Sequence, residues 1–382
     1  MYICIYKGKT VPMRQSRIST TLLALLVLCG PVRAQWNFDI PFPKPFMAAP
    51  DTVSVTFIGD VMMHEAQLAY DCEGFLSELG SVTRDADISV ANLEFSLAGK
   101  PYTGYPSFSA PDEYAFSIAG HGVDVFLTAN NHILDKGRRG LVRTLQVYDS
   151  MRDSHNIQYT GCAADHVSDT LLNPLIVVGK GVRIALVNFT YGTNYEPQPE
   201  WPRIRNMEKD EVKEMIDRAK RRGADFIVAL HHWGTEFRLR HSREQEEWAG
   251  WLAGQGVDLI VGAHPHVVQD TSHVLGVPVI YSLGNAVSNM SKENTRLELA
   301  VRARFVNHPD GGMEMLEPEL VFLWCCLPGT LRDNYTTIPV ARFTGRRSEW
   351  IDPSDYDNMI TTYKRVTKET GIYEENHQAG SN

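Results

Sequence analysis

From Val53 onward the chain alternates short β-branched apolar runs with stretches in which apolar residues recur every three or four positions. This is the pattern of a layered α/β domain rather than of a β-sandwich or a helical bundle. The apolar runs predict strands at Val53–Ile58, Ile88–Ala91, Val123–Ala129, Val182–Phe189, Phe226–Leu230, Leu259–Val261 and Val277–Tyr281. Helical periodicity predicts helices at about Ala66–Leu79, Glu113–Ala119, Arg138–Met151, Glu208–Arg221 and Arg243–Gln255. Leu297–Phe305 and Met313–Leu323 flank the turn Pro309-Asp310-Gly311-Gly312 and read as a closing hairpin. No Pro/Gly-rich linker divides Val53 from Leu323, so one large domain over residues 51–325 is expected. The aromatic, proline-rich residues 35–50 read as an extended arm, and residues 326–382 as a C-terminal extension. That extension carries one short helical pattern after Tyr356 and a polar tail from Gly371.

The N-terminus changes the cellular picture. Arg14 and Arg17 precede the apolar run Leu22–Leu28, and Val32-Arg33-Ala34 has the small-x-small form of a signal-peptidase site. Residues 1–34 are therefore expected to be a signal peptide, with Met13 as an alternative start and Gln35 near the mature N-terminus. The run is too short for a permanent membrane anchor, and the bulky Leu28 before Cys29 argues against lipidation there. An exported protein of the periplasm or cell surface follows, with no transmembrane anchor in the mature chain. Outside the leader stand Cys72, Cys162, Cys325 and Cys326, whose spacing fits no zinc motif; they read as core residues or one incidental disulfide.

At 43% hydrophobic and 22% charged residues the composition is that of an ordinary globular protein, but 37 Lys and Arg against 46 Asp and Glu leave a net charge of −9. That excludes general nucleic-acid binding, and a polyanionic partner would need a local basic patch. One such stretch, Arg218-Ala219-Lys220-Arg221-Arg222, reads as the solvated face of a helix. The other is Arg238-Leu239-Arg240-His241-Ser242-Arg243.

Candidate chemistry lies in polar segments placed directly after the apolar runs, where open α/β sheets build their binding crevices. Asp60 follows the first run, with Gly59 allowing a sharp turn; it suits a metal ligand or a helix N-cap. His64 could reach the same side. Glu94 follows the second run and could bridge two cations, with Asn92 orienting it or capping a turn. Asn131 offers an amide oxygen, and His132 a proton for a departing group, with Asp135 close enough to fix the His132 tautomer. His231 and His232 leave a strand on opposite faces, so only one should enter a shared site; Glu236 follows them as a further candidate. His264 and His266, two apart around Pro265, would present both imidazoles on one face of an extended segment. Asn285 lines the cleft or serves a turn. No Gly-x-Ser-x-Gly elbow, Walker A loop or dinucleotide glycine pattern occurs in the expected context.

Taken in order, Gly59-Asp60-Val61-Met62, Asn92-Leu93-Glu94, Asn130-Asn131-His132-Ile133-Leu134-Asp135-Lys136-Gly137, His232-Trp233-Gly234-Thr235-Glu236, Gly262-Ala263-His264-Pro265-His266 and Tyr281-Ser282-Leu283-Gly284-Asn285 resemble the signatures of the bacterial capsule-synthesis CapA family, associated with poly-γ-glutamate. The resemblance implies kinship with calcineurin-like metallophosphoesterases, and hence a four-layer α/β/β/α sandwich with a metal centre at the strand ends. It implies Asp60, Glu94, Asn131, His232, His264 and His266 as ligands and His132 as general acid, and it selects His232 over His231. One or two divalent ions (Mn, Fe, Zn or Mg) are expected. Two departures stand out: Met62 occupies the place of the usual Asp-x-His imidazole, for which His64 is the candidate substitute, and Glu94 stands where a bridging Asp is usual.

Three functions are compatible with these residues. The first is an exported CapA-type protein of capsule or poly-γ-glutamate biosynthesis, release or anchoring, with a metal-dependent hydrolase or transferase site and capsule-export machinery as its neighbours. The second is a periplasmic metallophosphoesterase. The third is a non-catalytic module holding a polyanion through Arg238, Arg240 and Arg243.

Overall fold

The structure is a computed structural model that describes residues 51–373 together with the pair Ile3–Cys4, which runs beside Val177–Val178. The rest of the leader, the arm at 35–50 and the end of the polar tail lie outside the described residues. Two mixed sheets pack face to face, and helices cover their outer faces, giving the four-layer α/β/β/α sandwich.

The first sheet is centred on strand β1 (Asp51–Val61). Beside it run, in parallel, β2 (Ile88–Leu93), β3 (Val125–Leu127) and β4 (Gln158–Thr160). The second sheet holds β5 (Leu175–Gly179) antiparallel to β6 (Val182–Thr190), and then, parallel to β6, β7 (Phe226–His232), β8 (Leu259–Ala263) and β10 (Val277–Ile280), with β9 (Thr271–Val274) antiparallel at the edge. Alternation along the strands divides the core. Leu186, Val228, Leu230 and Val261 meet the first sheet, whereas Val187, Ile227, Ala229 and Ile260 meet two outer helices.

Those helices follow from their periodicity. In Lys209–Arg221, Val212, Met215, Ile216 and Ala219 form one buried stripe, with lysines and arginines opposite. Arg243–Gly254 starts at Ser242, whose hydroxyl accepts from the Gln245 N–H in a capping box. Over the first sheet lie Asp112–Gly120 and Gly137–His155, the latter closed by Asn156 in the left-handed region.

The expected helix Ala66–Leu79 is not formed. Glu65–Ala69 and Cys72–Gly74 are 3₁₀ turns, followed by the short helix Gly80–Thr83. Local side chains compete there for backbone donors: the His64 N–H donates to Gln67 Oε1 at 2.7 Å, and the Glu73 N–H to Asp71 Oδ1 at 3.0 Å. The closing hairpin forms around the expected turn, but its second limb is split. Met313–Met315 and Glu319–Cys326 both pair with Leu297–Asn307, and Pro318 lies in the break between them. Beyond Cys325 the same sheet continues through Thr336–Pro339, antiparallel to Glu319–Cys326. The helical pattern expected to be short runs 18 residues, Pro353–Thr370, between the Asp352 cap and Gly371; Asp355 is tied to Arg296 at 2.6 Å. Cys72, Cys162, Cys325 and Cys326 are free thiols, the last three buried. No helix among the described residues is long and apolar enough to cross a membrane.

Close approach of the strand ends leaves no room for side chains at certain glycines. A Cβ on Gly262 would sit 2.1 Å from the Tyr281 carbonyl oxygen and 2.3 Å from Trp233 Nε1, whereas one on Gly250, inside the helix Arg243–Gly254, meets nothing within 4 Å. Gly262→Ala should therefore destabilise the protein by about 1–3 kcal/mol or more, and Gly250→Ala should stabilise it by roughly 0.5–1 kcal/mol. Urea unfolding of the two variants checks this; a Gly262→Ala midpoint equal to that of the wild type would contradict the packing.

Candidate metal centre

The parallel strands of both sheets end on the same side, and each end delivers one or two polar side chains. Gly59 precedes Asp60 because a Cβ there would lie 2.1 Å from the Gly284 carbonyl oxygen, so β1 can turn close against the strand Asn285–Val287. Asp60 Oδ1 accepts from Asn92 Nδ2 at 2.7 Å, and its Oδ2 accepts from the His264 N–H at 3.2 Å. Asn92 thus orients Asp60 rather than Glu94. Asn130 closes the next turn, donating to Asn92 Oδ1 at 3.2 Å and to the Leu93 carbonyl at 2.9 Å.

Glu94 stands at the centre. It is fully buried, and neither carboxylate oxygen has a hydrogen-bond partner. Around its Oε1 lie His232 Nε2 at 3.6 Å, His266 Nε2 at 3.8 Å and His132 Nε2 at 3.9 Å. Burial alone would raise its pKa, but the imidazoles of His266, His232 and His132 outweigh burial and hold the carboxyl well below the usual range. Two groups of ligand atoms gather within 4.8 Å of one another, Glu94 with His264 and His266, and Asp60 with Glu94 and His232. Glu94 belongs to both, and Asn131 Oδ1 lies 2.8 Å from His232 Nε2. An unpartnered buried carboxylate among oxygen and imidazole donors is a set compatible with a divalent cation.

The histidines differ in state. His266 feels burial, which opposes its charge, but Glu94 and Asp60 outweigh this and push its pKa up to about 9. Its Nδ1 lies 2.9 Å from Asn285 Oδ1, so the Nδ1–H donates there and Nε2 faces Glu94. His264 is held well below its ordinary value by burial, reinforced by His232 and His266, and its Nδ1 has no partner. The expected extended segment is not what aims this pair. His264 and His266 have φ of 96° and 58°, both left-handed, so the chain folds back on itself, held by the Phe237 N–H on the Pro265 carbonyl at 2.8 Å. Such backbone strain concentrates at functional sites.

His132 Nδ1 lies 2.7 Å from Asp135 Oδ2, which also accepts from the Phe108 N–H at 2.7 Å. Burial lowers the pKa of His132, but Asp135 and then Glu94 outweigh it, and the imidazolium is favoured beyond its ordinary range. His231 leaves β7 on the other face, packed on Phe189 and Trp233 at 3.9 and 4.3 Å between ring centroids. His64 sits at the rim. Its Nδ1 accepts from the Asn289 N–H at 3.2 Å, and burial pushes its pKa down to about 4. Met62, where an imidazole is usual, is a core side chain. Glu236 is exposed on the loop after Gly234. Arg240 pairs with Asp270 at 3.1 Å and Arg243 with Glu247 at 2.8 Å, while Arg238 is exposed.

Three residues enter the site that sequence reasoning did not single out. Tyr191 lies parallel to the His232 ring at 6.4 Å and 4.7 Å from that of His264, and Asn194 Nδ2 is 3.3 Å from each His132 ring nitrogen. Both belong to Thr190-Tyr191-Gly192-Thr193-Asn194, a polar segment directly after an apolar strand, which is the signal that marked the other segments. The third is Glu298, fully buried in the strand Leu297–Asn307, whose Oε1 accepts from the Gly59 N–H at 2.6 Å.

A model of the family described as bacterial capsule synthesis protein PGA_cap matches residues 54–290. The chain is 27% identical over 261 residues to a capsule biosynthesis protein CapA of Bacillus anthracis, an alignment covering 64% of this chain and 62% of that one. It is 25% identical over 295 residues to a PGA biosynthesis protein CapA of Bacillus subtilis, covering 73% and 75%. The chain thus spans less than two thirds of the first relative's length. Among solved structures, NAD nucleotidase of Haemophilus influenzae superposes with a TM-score of 0.42 at 14% identity, over 83% of this chain and 63% of that one.

Burial, partly offset by the Gly59 N–H, raises the Glu298 pKa from 4.5 to about 8, so the native state keeps a proton that the unfolded chain releases between those values. Where the native state binds more protons, stability falls as pH rises, here from about 4.5 to about 8. Glu298→Gln retains the acceptor for Gly59 and should flatten that part of the stability curve, measured as urea midpoint against pH. A curve parallel to that of the wild type would mean that Glu298 is ionised throughout.

Proposed function

The chain belongs to the bacterial capsule synthesis family PGA_cap, and from that premise we propose that it is an exported metal-dependent hydrolase or transferase acting on an anionic surface polymer of the poly-γ-glutamate type. The observation that carries the catalytic part is Glu94, a buried carboxylate with no hydrogen-bond donor on either oxygen, ringed by His132, His232 and His266. Removing a charge from water costs several kcal/mol unless it is compensated. A cation is the compensation these donors suit.

In this reading Glu94, His264 and His266 would hold one ion, and Asp60, Glu94, His232 and the Asn131 amide a second. When bound, such an ion polarises a scissile carbonyl or phosphoryl oxygen and offsets the negative charge developing on it. The remaining work belongs to the chain. His132 carries a proton on Nε2, toward Glu94, while Asp135 holds Nδ1 and sustains the imidazolium, so His132 serves as general acid to the leaving group. Asn194 bounds the ring on another side. Tyr191 packs over the buried His232 and His264 rings. Export rests on the leader-like sequence before Gln35.

The donor set also suits a phosphoryl group, so a generic phosphodiester belongs in the test beside poly-γ-glutamate. Elemental analysis of the purified mature protein should find a divalent metal in the wild type and in His132→Ala, but much less in His264→Ala. Turnover should fall about 10²–10⁴-fold in His132→Ala with metal retained. A wild type that binds no metal and turns over neither substrate would refute the catalytic reading.

A further inference from the structure

A cavity of about 430 Å³ is bounded by Gly99, Lys100, Ser109, Lys136, Arg139 and Arg143. Its volume is within the roughly 300–1,000 Å³ of small-ligand sites. Its lining is unlike the rest of a chain of net charge −9: Lys100, Lys136, Arg139 and Arg143 converge on it and no carboxylate lines it. Only Arg143 is neutralised, by a bidentate pair with Asp112 at 2.8 Å, and it is anchored further on the Leu97 carbonyl. Lys100, Lys136 and Arg139 have no ion-pair partner among the described residues, and Lys100 and Arg139 are exposed. The cavity also shares segments with the metal centre. Phe108 stacks edge-on to His132 at 4.6 Å while Ser109 lines the cavity, and Asp135 bonds His132 while Lys136 lines it.

We propose that this cavity is a polyanion subsite that takes carboxylate groups of an acidic chain and presents that chain at the neighbouring metal centre. The choice of polymer rests on the function proposed above; the choice of anion rests on the cations alone. Several unpaired cations around one cavity match repeated carboxylates on one chain, since each exposed contact is weak and only their sum holds a ligand. The other cationic stretch is less suited, because Arg240 and Arg243 already pair with Asp270 and Glu247.

The test is equilibrium binding of fluorescent poly-γ-glutamate to the metal-loaded mature protein at low and high salt, with polyphosphate as competitor. Wild type is set beside Lys100→Ala, Arg139→Ala, their double variant and Arg240→Ala. Both single variants remove exposed side chains, so folding is retained. The expected result is a loss of about three- to five-fold in affinity for each single variant and of ten-fold or more for the double variant at low salt. Those differences should shrink at high salt, with Arg240→Ala near wild type. Unchanged binding in the double variant overturns the assignment, as does the absence of polymer binding by the wild type. Preferential capture of polyphosphate replaces carboxylate with phosphate and overturns it too. Metal content and phosphodiester turnover, read on the same samples, separate this outcome from that of the catalytic proposal: either can fail while the other stands.

Discussion

An ionised carboxylate with no hydrogen-bond donor, deep inside a protein, is the constraint around which this structure is arranged. Glu94 cannot be stabilised by its own strand, since β2 ends one residue before it and its backbone N–H is spent on the Val61 carbonyl. What stabilises it comes from other strands, as imidazoles from β7, from the loop after β8 and from the turn after β3. The charges that balance Glu94 within the cluster are the protons favoured on His266 and His132. That arrangement forces two sheets to end together, and it accounts for the glycines at Gly59 and Gly262, where backbones pass too closely for a side chain.

A tier of amides holds those ends in register. Asn92 links Asp60 to Asn130, Asn188 Oδ1 accepts the Thr128 and Ala129 N–H groups from across the sheet interface, and Asn285 ties His266 to the Thr295 carbonyl. Each satisfies buried backbone or side-chain groups that would otherwise be unpaired, so positioning the centre and satisfying the core are the same task. The left-handed backbone at His264 and His266 persists because these bonds and the Phe237–Pro265 contact over-determine it.

Much of this was legible in the sequence because of one regularity, a polar segment after each apolar strand. It located Asp60, Glu94, Asn131, His132, His232, His264 and His266, which the fold brings together. Applied to the segment after Phe189 it would also have reached Tyr191 and Asn194. Other features were out of reach for physical reasons. Strand alternation put His231 and His232 on opposite faces and the resemblance chose His232, but the same alternation put His264 and His266 on an extended backbone, because nothing local announces that tertiary bonds impose positive φ. The helix expected at Ala66–Leu79 had the right period, yet Asp71 and Gln67 took the donors a helix needs. Glu298 sits at an ordinary strand position, and only its neighbour across the sheet, Gly59, gives it a role.

Charge is where the sequence and the fold have to be read together. A chain of net charge −9 repels a polyanion at long range, and beyond a Debye length of about 8 Å at physiological salt that repulsion is screened. Recognition of an acidic polymer must then be short-ranged, decided by which cations remain unspent once the fold has formed. Along the sequence the arginines from Arg238 to Arg243 form one cluster, but folding spends Arg240 and Arg243 on Asp270 and Glu247. Lys100 lies on a different segment from Lys136 and Arg139, and folding gathers the three around one cavity without giving them an ion-pair partner among the described residues. Which cations stay free for an anionic ligand is thus a property of pairing in three dimensions, which linear charge density alone does not show.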